Sequence, residues 1–178
     1  MQSYRSGPET ERIEHRAFTL DDAEAFYRLN SHPEVMRFTG EPQLASLDEA
    51  RQGIADYPDF DTVGYGRWAC VLKESRKVIG FCGLKYLTEQ NEVDVGFRFF
   101  PEYWGQGIAT ETCSACIAFG FETLHLERIL GLVLPDNNAS IRVLEKCGMT
   151  RSGEVLYDGE HAQKYEILRS AYRQILNG

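Results

Sequence analysis

Two glycines lie where a turn runs directly into an apolar-patterned helix, in the segment Gly105-Gln106-Gly107-Ile108-Ala109-Thr110. The first turn of a helix leaves main-chain N–H groups without partners and carries the positive end of the helix dipole, so it attracts phosphate. Glycine has no Cβ and lets the main chain approach an anion closely. The segment therefore predicts a phosphate-binding turn, with a purely structural glycine turn as the alternative.

Two better-known phosphate motifs fit this segment poorly. A P-loop needs Lys followed by Ser or Thr after its last glycine, whereas Ile-Ala-Thr follows Gly107. A dinucleotide fingerprint needs a third small residue where Thr110 stands, and a buried parallel strand before the turn. The preceding run, residues 92–100, alternates instead. Hydrolysis of nucleoside triphosphates and dinucleotide binding are therefore disfavoured.

The elements that must position this turn alternate between helix and strand patterns. Capping residues followed by apolar positions at helical spacing predict helices at residues 21–29, 46–56, 108–124 and 138–147. Period-two or apolar runs predict strands at residues 13–18, 67–73, 78–84, 92–100 and 129–134. Residues 154–172 predict two more strands, joined by the turn signal Asp158-Gly159.

The strand patterns also predict which strand is central. The run 129–134 is apolar almost throughout, as expected of a strand covered on both faces. The run 92–100 places valine and phenylalanine on one face and Asp94, Gly96 and Arg98 on the other, which predicts a half-covered strand. The sum is an α+β fold on a mixed sheet of about seven strands, flanked by about four helices.

The composition is that of a globular protein with a net negative charge. The chain has 178 residues, which suits one domain over residues 1–178, and a formal net charge of −8. No apolar run approaches the roughly 20 residues that cross a bilayer, and the polar N-terminus lacks a secretory signal, so we expect a cytoplasmic protein. The charge argues against a nucleic-acid partner.

No metal site is predicted. The spacing Cys113-x-x-Cys116 can bind zinc or do redox chemistry, but no second pair of ligands accompanies it, and both residues fall on the apolar face of a predicted helix. Five cysteines at irregular spacing make a poor disulfide framework. The four histidines show no ligand spacing. We expect buried, inert thiols and structural or surface histidines.

The run FRFFPEYWGQGIATE, residues 97–111, closely resembles the acetyl-CoA motif of the GNAT acetyltransferase superfamily. The run NNASIRVLEKCGM, residues 137–149, resembles the Asn-x-x-Ser helix of the branch that acetylates the N-termini of ribosomal proteins. With residues 13–26, which look like that branch's first strand and helix, the resemblance covers nearly the whole chain. It implies an acetyl-CoA-dependent N-acetyltransferase whose mostly antiparallel, twisted sheet splays open between its fourth and fifth strands, residues 93–100 and 128–134.

The resemblance also implies where the cosubstrate acetyl-CoA binds. In this family the pantetheine arm makes strand-like hydrogen bonds to the fourth strand, and the pyrophosphate takes main-chain N–H groups of the glycine turn. The implied binding residues are Phe97, Arg98, Phe99, Gly105, Gln106, Gly107, Ile108, Ala109, Thr110, Asn137 and Ser140. The family pattern begins with Gln or Arg where this chain has Trp104, which cannot donate hydrogen bonds to phosphate as an arginine would.

Attack of an amine on a thioester needs a deprotonated nitrogen, a stabilised oxyanion and a proton for the departing thiolate. The resemblance makes Ser140 the candidate acid, with a first-turn cap as the alternative. Asp94 aligns with an acidic residue of the branch and is the first candidate base, with a solvent-exposed carboxylate as the alternative; Glu166 is the second. Asn137 is implied to contact the cofactor arm, and an ordinary turn and cap is its alternative.

The expected partner is an amine-bearing acceptor, either a protein N-terminus or a small molecule, with no nucleic acid and no membrane involved. In this superfamily the acceptor is chosen by the first helices and their loops, here roughly residues 30–61. A non-catalytic CoA-binding or sensing domain on the same fold is the competing function.

Overall fold

The computed structural model describes residues 2–157 and 159–177, which form one eight-stranded sheet with helices on both faces. The strands are β1 Ser6–Glu9, β2 Ile13–Arg16, β3 Arg67–Leu72, β4 Val78–Leu87, β5 Glu92–Phe99, β6 Arg128–Val133, β7 Thr150–Tyr157 and β8 Glu160–Leu168. The helices are α1 Ala23–Ser31, α2 Pro33–Met36, α3 Leu47–Ala55, α4 Asp59–Thr62, α5 Ile108–Glu122, α6 Asn138–Lys146 and α7 Arg169–Asn177.

The predicted α+β class and the four predicted helices are confirmed, and the structure adds elements to them. Strand β1 contains Gly7 and Pro8, so its sequence lacks a strand signal; proline is tolerated there because β1 is an edge strand. The predicted strand reaching residue 172 is wrong, because β8 ends at Leu168 and α7 begins at Arg169. Of the predicted turn Asp158-Gly159, Asp158 lies outside the described residues; β7 and β8 are antiparallel neighbours, as expected.

The strand order is β1-β2-β3-β4-β5-β6-β8-β7, and neighbouring strands are antiparallel except β5 and β6. That parallel pair has one register contact within the described residues, between Asp94 and Leu130. Because β5 continues to Phe99 without pairing to β6, the sheet opens beyond this point. The opening implied by the family resemblance is therefore confirmed, between what are the fifth and sixth strands once β1 is counted.

Alternation along β4 and β5 assigns each helix group to one face of the sheet. Leu84 and Val95 face α5 and pack in the main core with Cys116 and Ile117 of that helix. Phe81 faces the other way and packs with Leu29 of α1 in a smaller cluster. The thiols of the predicted helix are buried as expected, and burial raises the pKa of the Cys116 thiol. Both faces of the sheet around the opening are thus covered.

No helix within residues 2–157 and 159–177 combines the length and apolar character needed to cross a membrane.

Candidate active site

A cleft of about 940 Å³ begins where β5 and β6 separate and extends between the starts of α5 and α6 and a wall formed by α1 and the chain after it. All of the predicted cofactor-binding residues except Gln106 line this cleft. They are Phe97, Arg98, Phe99, Gly105, Gly107, Ile108, Ala109, Thr110, Asn137 and Ser140. Residues from three separate segments of the sequence are therefore brought to one cavity.

The glycine turn has the geometry that an anion site requires. Gly105 and Gly107 have φ angles of +71° and +78°, in the left-handed region that favours glycine. A Cβ on Gly105 would meet no atom within 4 Å, and one on Gly107 would meet only the Arg12 side chain. Gly107 is the N-cap of α5 and offers no side-chain cap, so the first-turn N–H groups remain available to a ligand.

Arg12 holds this turn from the loop between β1 and β2, and the sequence reasoning missed it. Its Nη1 donates to the main-chain oxygen of Gln106 at 3.0 Å, and its Nε contacts Glu111 Oε2 at 2.6 Å. Burial opposes ionisation of Glu111, but hydrogen bonds from Thr10 and Arg12 outweigh it and lower the pKa of this carboxyl. The only sequence signal was an acidic residue in the first turn of a helix.

Trp104 closes the end of strand β5. Its indole Nε1 donates to the main-chain oxygen of Phe99 at 2.8 Å, while 48% of the residue remains exposed along the cleft. Where the family pattern has Gln or Arg, this chain therefore has an indole that is held by the main chain and adds an apolar surface to the cleft.

Helix α6 brings Asn137 and Ser140 to the cleft. Asn137 is the N-cap, and its Oδ1 accepts from Ser140 N at 3.2 Å. The capping alternative for Asn137 is therefore confirmed and the one for Ser140 is wrong. The Ser140 hydroxyl has no hydrogen-bond partner among the described residues. Arg142 and Lys146, two and six residues after Ser140, also line the cleft and add positive charge that the sequence reasoning did not single out.

Asp94 lies at the apex of the opening and is 7% exposed, so the alternative of a solvent-exposed carboxylate is wrong. Its Oδ2 contacts Arg67 Nη2 at 2.6 Å, and its Oδ1 accepts from Leu132 N at 3.1 Å. The predicted half-covered strand is corrected at Asp94, which is buried beneath Arg67, whereas Gly96 and Arg98 on the same face are half-buried. Glu166, the second candidate base, lies outside the cleft and pairs with Arg128 at 3.8 Å.

The wall opposite the cofactor residues comes from the segment expected to choose the acceptor. It includes Glu34, Phe38, Glu41, Ile54 and Tyr57. Arg98 connects this wall to β5 by donating hydrogen bonds to Asn30 Oδ1 and Glu41 Oε2. Burial lowers the pKa of the Arg98 guanidinium. The side chain of Arg98 thus organises the wall, while its main chain belongs to β5.

The groups along the cleft suit coenzyme A. The uncapped N-terminus of α5 suits a pyrophosphate, and Arg142 and Lys146 supply compensating charge. The edge of β5 that β6 leaves unpaired offers main-chain donors and acceptors to the amides of a pantetheine arm.

Known proteins support this fit. The chain matches the family model described as Acetyltransferase (GNAT) domain over residues 12–150. The uncharacterized N-acetyltransferase YoaA of Bacillus subtilis (strain 168) is 33% identical over 147 residues, which are 82% of this chain and 83% of the relative.

Two solved structures share the fold. One is spermidine N-acetyltransferase from Vibrio cholerae in complex with CoA and spermine, with a TM-score of 0.77, 20% identity, and coverage of 92% of this chain and 99% of that one. The other is ribosomal-protein-S5-alanine acetyltransferase from Vibrio fischeri, with a TM-score of 0.74, 21% identity, and coverage of 92% and 96%.

Proposed function

The chain belongs to the GNAT acetyltransferase family and is an N-acetyltransferase that uses acetyl-CoA, and on that premise we propose that it acetylates a primary amine held against the wall of α1 and residues 37–41. The observation that carries this proposal is the continuity of the cleft. One cavity runs from the phosphate-binding turn at Gly107 to the wall at Glu41. A donor and an acceptor therefore have adjoining places in it.

In the proposed reaction the amine attacks the thioester directly, and the chain contributes mainly binding and alignment. The first turn of α5 holds the phosphates, and the open edge of β5 orients the arm. Trp104 and the apolar residues of the cleft limit access of water. The wall that Arg98 connects to β5 holds the amine. The amine loses a proton to solvent or to a base as the new C–N bond forms.

Ser140 is proposed as the acid that protonates the departing thiolate, and the proton that the amine releases restores the serine hydroxyl. Ser140 lines the cleft from the first turn of α6, and its hydroxyl is not engaged in capping, because Asn137 performs that role. A hydroxyl without an internal partner can donate to a sulfur that becomes anionic as the C–S bond breaks.

The acceptor class is proposed from the fold neighbours and the shape of the wall. One neighbour acts on spermidine by its name, and the other on a ribosomal protein, the branch that residues 137–149 resemble. Both acceptors present a primary amine. We therefore propose a small amine or a protein N-terminus, which the segment of residues 30–61 would distinguish.

The function is tested by the release of free thiol from acetyl-CoA in the presence of N-terminal peptides, polyamines, amino acids and aminoglycosides. Coenzyme A binding is measured in parallel by calorimetry. Turnover with one class of amine is the expected result and names the acceptor. Binding of coenzyme A without turnover on any class would favour a sensing domain, and no binding would overturn the site.

For Ser140→Ala we expect kcat to fall about 100-fold, at the lower end of what a positioned acid or base supplies. The affinity for coenzyme A should stay close to that of the wild type, because the capping contact from Asn137 uses the main chain of residue 140. Thiol release under saturating substrates measures the effect.

Ser114→Ala is the matched control for this variant. Ser114 is an exposed serine of α5 whose hydroxyl contacts Cys147 at 3.3 Å outside the cleft. Its variant should turn over normally. Wild-type turnover in Ser140→Ala would remove the acid role and leave the family assignment intact.

A further inference from the structure

We propose that Asp94 and Arg67 form a buried lock that fixes the point where β5 and β6 separate, and that Asp94 is a positioning residue for the cofactor arm rather than the proton acceptor. The inference rests on the proposed function, because part of its test reads acetyl transfer. The two residues are 27 positions apart in sequence and meet at the apex of the cleft.

Asp94 replaces the main-chain pairing that the sheet loses at its opening. It is the β5 residue in register with Leu130 of β6. Two residues further along β6, the N–H of Leu132 donates at 3.1 Å to the Asp94 carboxylate instead of to a β5 carbonyl. The side chain therefore satisfies a donor of β6 while the two strands diverge. The separation of the strands is set by this contact.

Arg67 fixes the carboxylate from the other side. Its Nη2 lies 2.6 Å from Asp94 Oδ2, and its Nη1 donates to the main-chain oxygens of Gly83 and Asp94, at 2.5 Å and 3.2 Å. One guanidinium thus joins β3, β4 and β5. Both charged side chains are largely buried, with 18% and 10% exposure, so each depends on the other for compensation.

The glycine of β5 makes room for this arrangement. A Cβ on Gly96 would lie 2.5 Å from Arg67 Nη2, so the guanidinium lies flat against the main chain at this residue. Arg67, Asp94 and Gly96 all line the cleft. The lock is therefore part of the cleft floor, next to the strand proposed to align the pantetheine arm.

The same contacts argue against proton transfer by Asp94. Each of its oxygens already accepts a hydrogen bond from a fixed donor. Protonation would leave the permanently charged Arg67 buried without its counter-ion. Burial raises the pKa of the Asp94 carboxyl, and its contacts with Arg67 and Leu132 oppose that rise. Other titratable groups that interact with the pair are Tyr57, Cys82 and Arg98 around Arg67, and Lys85 and Cys113 around Asp94. The Arg67–Asp94 pair is thus suited to hold β5 and β6 in position rather than to transfer a proton.

The first test is the calorimetric affinity of Asp94→Asn for coenzyme A, which needs no acceptor. The amide can still accept from Leu132 but no longer balances Arg67, so we expect the affinity to fall about tenfold. Arg67→Lys keeps the charge but cannot bridge Asp94 and Gly83 together, and should also bind more weakly. Wild-type affinity in both variants would overturn the lock. If Asp94→Asn does not fold, the affinity of Arg67→Lys for coenzyme A tests the lock by itself.

The second test uses the active acceptor and the pH profile of kcat/KM. If Asp94 acts as a lock, Asp94→Asn lowers kcat/KM but keeps the ascending limb of the wild-type pH profile. The double variant Arg67→Gln/Asp94→Asn should then recover part of the lost kcat/KM, because no uncompensated charge remains. For a base, the ascending limb disappears and the double variant recovers nothing, which would contradict the proposal. If the wild type acetylates no amine, the proposed function fails while the affinities still decide the lock.

Arg128→Gln is the matched control. Arg128 of β6 pairs with Glu92 of β5, so it also joins the two strands, but two residues before the register contact and outside the cleft. Its ion pair is partly exposed, and such pairs contribute little. The variant should bind coenzyme A as the wild type does; an equal loss in Arg128→Gln and Asp94→Asn would reduce the lock to general sheet stability and overturn it.

Discussion

Replacing Gly107 with valine is expected to weaken the binding of coenzyme A by about 10- to 100-fold, which corresponds to roughly 1.4–2.8 kcal/mol. Gly107 has a φ angle of +78°, and a β-branched residue in the left-handed region is a genuine outlier. The strain would distort the turn that presents the first N–H groups of α5. Calorimetric titration with coenzyme A measures the change.

Gly40→Val is the matched control for this prediction. Gly40 has a comparable φ angle of +70° and lies on the opposite wall of the cleft, where a Cβ would meet only Glu160 Cγ at 3.5 Å. The Gly40→Val variant introduces the same backbone strain away from the glycine turn before α5. Its affinity for coenzyme A should therefore stay near that of the wild type. Retained affinity in Gly107→Val would mean that the phosphates bind elsewhere.

The largest loss of stability is expected for Gly80→Ala. Gly80 of β4 pairs with Phe99 of β5, and a Cβ there would lie 2.2 Å from the main-chain oxygen of Arg98 and 2.6 Å from the Phe99 ring. The Arg98 oxygen and the Phe99 Cα, which is 2.8 Å away, belong to the main chain and cannot move without separating the two strands. We expect the free energy of unfolding to fall by about 3 kcal/mol, the upper end for overpacking, and Tm to fall by about 6–12 °C.

Gly53→Ala supplies the contrast in the same thermal or denaturant measurement. Gly53 is an exposed interior residue of α3, and a Cβ there would make an ordinary 3.7 Å contact with the Phe26 ring. Because glycine is a poor helix former, we expect a gain of about 0.5–1 kcal/mol. Equal stability of the two variants would contradict the close approach of β4 and β5 at Gly80.

The geometry of the glycine turn was predictable because its physics is local. The turn, the uncapped helix start and the apolar face of α5 all lie within residues 105–122, and each follows from glycine geometry, the helix dipole or helical periodicity. The same holds for α6, where Asn137 and Ser140 are three residues apart. For Ser140, however, only the structure showed that Asn137 takes the capping role and leaves the hydroxyl unused.

Periodicity failed where polar groups were buried by partners distant in sequence. The alternation in β5 predicted a face open to solvent, but Asp94 is covered by Arg67 from a strand 27 residues earlier. A two-residue period reports only which side chains share a face, and it carries no information about what covers that face. The signal that was available was Gly96, because a glycine inside a strand marks a close approach of another group.

The sequence by itself determined the fold class, the family, the glycine turn before α5 and the helix that carries Ser140, because these depend on short-range spacing and on motifs that local physical chemistry explains. Only the tertiary structure decided that Arg12 buttresses the turn across 94 residues, that Arg98 ties the acceptor wall to β5, and that Asp94 is engaged by Arg67 and Leu132. These contacts form between elements whose pairing is fixed by packing of the whole sheet, so no local pattern specifies them.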